Sequence, residues 1–167
     1  LPQMMSLFKQ VMAVKPDAQF LFVSNNGEDL VLAECQKQNI PSDKVVVMSA
    51  DRTEIPAYIA LADLSVVFIR ADISKAGCSP TKLAELFACN VPVIANTGVG
   101  DLDEIINLDR NSSVIVKDFS DETLRAAIET VVAKRVENNI NIRENSREFA
   151  LEEGIDRYAS VYRELML

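Results

Sequence analysis

The chain has 167 residues, 49% apolar and 25% charged, enough for one substantial core and ordinary for a soluble globular protein. Its net charge of −8 argues against nucleic acid as a main partner, since phosphate backbones are held chiefly by lysine and arginine. A small phosphorylated ligand, which needs only a few local donors, is not excluded.

There is no histidine, so neither a Ser-His-Asp triad nor a histidine base is available. Cys35, Cys78 and Cys89 are odd in number and widely spaced, and with no CxxC and no histidine they do not complete a zinc set. They read as reduced thiols of a cytoplasmic protein, and no metal is expected. No apolar run approaches the roughly 20 residues that cross a bilayer, and no signal peptide is visible. The chain opens on Leu1, not methionine, and is expected to be a fragment or a processed chain.

Gln3 to Val14 places Met4, Leu7, Phe8, Val11 and Met12 at helical spacing. Lys15-Pro16-Asp17 breaks that helix, and Phe20 to Val23 follows as a short apolar strand. Asn25-Asn26-Gly27 turns into a second helix with Leu30, Val31 and Cys35 facing in, ending before Pro41. Val45 to Met48 is the next strand, and a loop from Ser49 to Thr53 leads into a short helix from Glu54 to Ala62, where Pro56 is tolerable in the first turn. Ser65 to Ile69, apolar on both faces, reads as a central parallel strand.

A polar loop from 70 to 79 then leads into a helix over 80–90, with Ser79 as its N-cap and Pro80 at its first position. A strand over 92–96, a glycine loop and a helix over 101–107 follow. Val114 to Val116 is the last strand, Ser120 caps a helix to about Lys134, and Asn138 to Asn141 is a connection. Two helical segments, 142–151 and 154–166, end the chain.

Helices alternating with strands over short connections predict an α/β fold: a Rossmann-like parallel sheet of about five strands with helices on both faces. Such sheets bind ligands at the carboxyl ends of their strands. The loops at that edge are 24–27, 49–53, 70–79, 96–100 and 117–120.

Helix 80–90 carries the chemistry. Leu83, Leu86 and Phe87 form its buried stripe, while Thr81, Lys82, Glu85 and Cys89 share the other face. A lysine in a first turn opposes the helix dipole, at a cost of ~0.3–1 kcal/mol, and a bound anion would reverse the sign of that term. The competing reading is a solvated Lys82–Glu85 pair worth ~0.2–0.5 kcal/mol. Glu85, one turn on, is placed to accept hydrogen bonds from the paired hydroxyls of a ribose. Gly98 and Gly100 serve either as turn residues or as a loop open to a ligand. Arg52 reaches either a phosphate or its neighbour Glu54, and Asn25 and Asn26 read as turn formers rather than ligands.

The stretch SPTKLAELFACNVPVIANTGVGDLDEII, residues 79–106, resembles bacterial glycosyltransferases of the family 4 type, which have the two-domain GT-B fold. Glu85, Pro92-Val93-Ile94, Gly98 and Glu104 fall on the family's pattern, and Ser79 to Lys82 and Arg52 to Tyr58 match a subgroup of it. The resemblance covers roughly residues 3–135 and is strongest over 50–106. It implies one half of a GT-B fold: a single nucleotide-sugar-binding domain, 1–167, with 142–167 as a helical extension and an N-terminal acceptor domain absent. It further implies Glu85 as the residue holding the nucleotide ribose. Lys82, Thr81, Ser79 and Arg52 join it at the donor nucleotide, and Gly77, Gly98 and Gly100 border the donor sugar.

The family's other glutamate, eight residues before Glu85, falls on Gly77 and is missing, so the catalytic residue is unassigned. Asn90 replaces the usual glycine after the helix, and asparagine tolerates the left-handed turn required there. The family's first strand of this half also has no counterpart, and the helix around Tyr158 and Tyr162 resembles one that packs across the other domain. The implied activity is retaining transfer of a hexosyl group from a UDP- or GDP-type sugar to a glycan or lipid-linked acceptor, in polysaccharide biosynthesis. No further cofactor is expected. The implied location is cytoplasmic, with peripheral membrane association only for the full-length protein. The alternatives are half of a GT-B nucleotide-sugar epimerase, or a non-catalytic nucleotide-binding or interaction domain.

Overall fold

The computed structural model describes residues 1–108, 112–136 and 142–166. Five parallel strands form: β1 (Phe20–Val23), β2 (Val45–Met48), β3 (Ser65–Val67), β4 (Val93–Asn96) and β5 (Val114–Val116). Around them lie α1 (Pro2–Val14), α2 (Glu28–Gln38), α3 (Ile55–Ala60), α4 (Lys82–Ala88), α5 (Leu102–Leu108), α6 (Asp121–Val136) and α7 (Leu151–Leu165). This is the expected Rossmann-like α/β architecture, with one difference in the sheet. The strands pair as β1-β2 and as β3-β4-β5, and among the described residues no ladder joins β1 to β3.

β3 is therefore an edge strand rather than a central one, and it stops at Val67. β4 holds the centre of its sheet and is buried along its whole length. Because successive side chains alternate between faces, β4 splits the core in two. Ile94 joins Leu7 of α1 and Leu124, Ile128 and Val131 of α6 on one side. Val93 and Ala95 meet Leu83, Leu86 and Phe87 of α4 with Leu102, Ile105 and Ile106 of α5 on the other. The predicted stripe of α4 thus supplies three of the buried residues of this second layer.

α1 serves both sheets, which changes its expected stripe. Leu7 enters the β3-β4-β5 core, Met5 and Phe8 pack with Val31, Cys35 and Val45 on the other sheet, and Val11 touches both clusters. Met5 is fully buried, whereas Met4 is only half-buried. In α2, Val31 and Cys35 face inward as expected, but Leu30 is 70% exposed. α2 turns Val31 and Cys35, four residues apart on one face, into the cluster with Met5 and Phe8, and Leu30 is left outside it.

The chain's end also differs from expectation. Arg143–Phe149 forms 3-10 turns, and one continuous helix, α7, replaces the second predicted segment. Asn138 to Asn141 lie outside the described residues. No helix among the described residues is long and apolar enough to cross a membrane.

Candidate functional site

The carboxyl ends of β3 and β4 launch the two loops that flank α4, and a single buried side chain joins them. Asn96, the last residue of β4, accepts a hydrogen bond from the Ile69 N–H (2.8 Å) through Oδ1 and donates through Nδ2 to the carbonyls of Ile69 (2.9 Å) and Thr97 (3.0 Å). This continues the β3–β4 contact past the end of the ladder and fixes where loops 70–79 and 96–100 begin. Sequence reasoning missed this role. The available signal was a polar residue closing an otherwise apolar strand.

The loops themselves touch. Gly100 has φ +45°, and a Cβ placed there would lie 1.9 Å from the Cys78 carbonyl oxygen. A Cβ on Gly98 (φ +83°) would stand 3.2 Å from Ala71 Cβ. The loop is therefore held against its neighbour by positions that tolerate no side chain. Within it, the Gly98 N–H donates to Asp103 Oδ2 (3.2 Å). Gly77 is different: a Cβ there would meet nothing within 4 Å, so the position has space for a larger residue.

The start of α4 departs from the sequence expectation. The helix begins at Lys82, with Thr81 in the N-cap place and no side-chain cap bond, so neither Ser79 nor Pro80 takes its assigned position. Residues 78–80 precede the helix, and Cys78 lies close against Gly100. The Leu83 and Ala84 N–H groups turn back to the carbonyls of Pro80 (3.0 Å) and Thr81 (3.2 Å). Among the described residues the N–H groups of Thr81 and Lys82 make no such bond. Ser79, Thr81, Lys82 and Glu85 all lie exposed along this rim.

Lys82 and Glu85 do not form the i,i+3 pair considered from the sequence. Among the described residues, the cation within 4.0 Å of Glu85 is Arg52, with Nη2 to Oε1 at 3.5 Å. Glu54, the alternative partner of Arg52, instead accepts the Asp51 N–H at 2.8 Å and braces the loop. A second tie, between α3 and the end of α4, runs from Cys89 Sγ to the Pro56 carbonyl at 3.8 Å. Loop 49–53 is thereby drawn to α4, and two predicted site residues meet.

Asp72 organises the 70–79 loop by accepting from the N–H and hydroxyl of Ser74. The Ser74 hydroxyl bond, above all, holds its carboxyl below the usual carboxylate range. Asn25 and Asn26 form a turn, as expected: the Ser24 hydroxyl donates to the Asn26 carbonyl (2.7 Å), and Gly27 (φ +98°) starts α2. They also line a polar hollow of about 320 Å³ with Ser24, Met48 and Ser49, at the carboxyl ends of β1 and β2. At the far end of α4, Asn90 adopts φ +61°, as expected for a residue replacing glycine. Its Oδ1 accepts the Ile142 N–H (2.9 Å), and Arg143 donates to the Ala88 carbonyl (2.9 Å), which pins the C-terminal segment to this helix.

Residues 3–134 match the family model described as "Glycosyl transferases group 1". Among solved structures, the chain is similar to the sucrose-phosphate synthase of Thermosynechococcus elongatus. That match has a TM-score of 0.69 and 22% identity, over 96% of this chain and 42% of the other. It is also similar to WaaG, a glycosyltransferase involved in lipopolysaccharide biosynthesis, with a TM-score of 0.66 and 17% identity, over 89% of this chain and 38% of the other. The chain therefore spans about two fifths of each of these structures. No curated protein sequence matches it.

Proposed function

The chain belongs to the group 1 glycosyl transferases, and from that premise we propose that it is the donor-binding domain of a retaining glycosyltransferase. It binds a nucleoside-diphosphate sugar of the UDP or GDP type. The hexosyl group passes to a glycan or lipid-linked acceptor held by a domain outside these residues. The observation that carries the reading is the gathering of the 49–53, 70–79 and 96–100 loops around α4 at the carboxyl ends of parallel strands, where such sheets take ligands.

Each residue then has a defined task. Glu85 accepts hydrogen bonds from the two ribose hydroxyls, which a carboxylate can take together. The Lys82 ammonium, with main-chain N–H groups of the Ser79–Lys82 rim, offsets charge on the diphosphate. That charge grows as the glycosidic bond breaks, so donors already in place favour the transition state over the ground state. Gly98 and Gly100 let the donor sugar approach the backbone, and Gly77 borders the same space. The retaining outcome rests on the family resemblance alone.

The test is a binding screen of UDP, GDP, ADP and their sugars. One nucleoside diphosphate is expected to bind, and Glu85→Ala is expected to weaken it about tenfold or more, the scale of hydrogen bonds to a charged group. Unchanged affinity in Glu85→Ala would remove the ribose assignment. A second reading, binding without transfer, is favoured by Gly77, where the family's other carboxylate is missing. Transferase assay of the full-length protein separates the two. A nucleotide-sugar epimerase half would instead show donor isomerisation without any acceptor.

A further inference from the structure

We infer that Arg52 acts on the ligand through Glu85, as a positioning residue that aims the carboxylate at the ribose, and is not itself a phosphate ligand. The inference rests on the ribose role of Glu85 proposed above. Three observations carry it. Arg52 Nη2 stands 3.5 Å from Glu85 Oε1, while Lys82, on the same helix, makes no ion pair among the described residues. The loop presenting Arg52 is braced by its own bonds: the Asp51 N–H donates to Glu54 Oε2 and the Glu54 N–H to the Asp51 carbonyl (2.9 Å). The Pro56–Cys89 contact then fixes the following segment against α4.

The Arg52 side chain is 91% exposed and that of Glu85 46% exposed, so the pair contributes little to folding. What it can do is restrict a carboxylate that would otherwise sample several rotamers. An ionised carboxylate has two oxygens and about four acceptor directions. Engaging Oε1 from the loop side leaves Oε2, and the free directions of Oε1, for two hydroxyls. Ligand binding then keeps the ion pair. A phosphate-binding Arg52 would instead turn its remaining donors to the diphosphate, a contact that does not depend on the ribose hydroxyls.

The experiment measures binding of UDP and 2′,3′-dideoxy-UDP, with the GDP pair run in parallel, to the parent chain, Arg52→Ala, Arg52→Lys, Glu85→Ala and the double variant. Arg52→Ala is expected to weaken the ribose diphosphate about two- to fivefold, the scale of an exposed ion pair, with partial recovery in Arg52→Lys. It should leave the dideoxy ligand unaffected and add nothing in the Glu85→Ala background. Equal losses on both ligands, or additive losses in the double variant, would make Arg52 a phosphate contact and overturn the inference. No loss in Arg52→Ala overturns it as well. If the parent chain binds no nucleoside diphosphate at all, the ribose reading falls first and this one with it.

Discussion

Arg52 and Glu85 lie 33 residues apart, on the loop after β2 and the helix after β3, and meet with Nη2 3.5 Å from Oε1. The contact brings the β1-β2 part of the molecule to the helix that follows β3, at the edge where the strands end. Both side chains are largely in water, so the pair serves geometry far more than stability. Arg52→Ala is expected to shift unfolding free energy by no more than about 1 kcal/mol in a urea titration. A larger loss would show that the pair is structural.

Asn96 is the opposite case, a buried polar side chain with three hydrogen bonds, two of which join the ends of β3 and β4 through Ile69. Asn96→Ala leaves both the N–H and the carbonyl of Ile69 without this partner and is expected to cost about 1–3 kcal/mol. Urea unfolding reads that cost. Loss of nucleotide binding at concentrations of urea too low to unfold the chain would show that the two loops separate first.

Gly100→Ala places a Cβ 1.9 Å from the Cys78 carbonyl, at a backbone angle that side chains rarely adopt. One of the two loops has to move, and a destabilisation of more than about 1 kcal/mol is expected, with weaker binding of the nucleoside diphosphate. Gly77→Ala is the matched control. With nothing within 4 Å of its Cβ, it should stay within about 0.5 kcal/mol of the parent. Equal effects at the two positions would argue against the loop contact.

Asn90 combines a left-handed turn with a hydrogen bond from Ile142. Asn90→Gly keeps the turn and removes the bond, so the C-terminal segment should loosen while α4 stays intact. Hydrogen exchange is the direct measurement: the Ile142 amide should lose protection, and the amides of 83–88 should keep theirs. Equal acceleration of both sets would mean that the segment is not separately held.

The bonds from Ser74 lower the folded pKa of Asp72 relative to the unfolded chain. The resulting stabilisation is fully present above the unfolded carboxylate range and is lost as pH falls through the folded pKa. Asp118 behaves the same way beside Ser120. Replacing both, as Asp72→Asn with Asp118→Asn, should flatten the acid limb of the stability profile below about pH 4 while leaving its slope near neutrality unchanged. An unaltered acid limb would mean that other carboxylates set it.

Much of the secondary structure was legible because the evidence for it is local. Val45–Met48 stands where the apolar run placed it, Ser120 caps α6 by accepting the Thr123 N–H at 3.3 Å, and Asn90 takes the left-handed turn. Ser79-Pro80 failed as a helix start for a non-local reason. N-cap preference describes a chain free to choose, and here the preceding residue, Cys78, is tied back to Lys75 and packed close to Gly100. The stripe of α1 was misassigned in part because one helix covers two sheets, and periodicity presumes a single buried face.

The sequence by itself determined the α/β alternation, the buried stripe of α4, the turn residues and the family pattern around Glu85. These depend on neighbours a few residues apart, or on motif order along the chain. Tertiary structure alone decided that the five strands divide into two ladders, that Asn96 and Gly100 hold the loops together, and that Glu85 pairs with Arg52 rather than Lys82. A pair three residues apart on one helix can be read from the sequence, although whether it forms cannot. A pair 33 residues apart depends on where two loops are carried by separate strands, and no local preference encodes that.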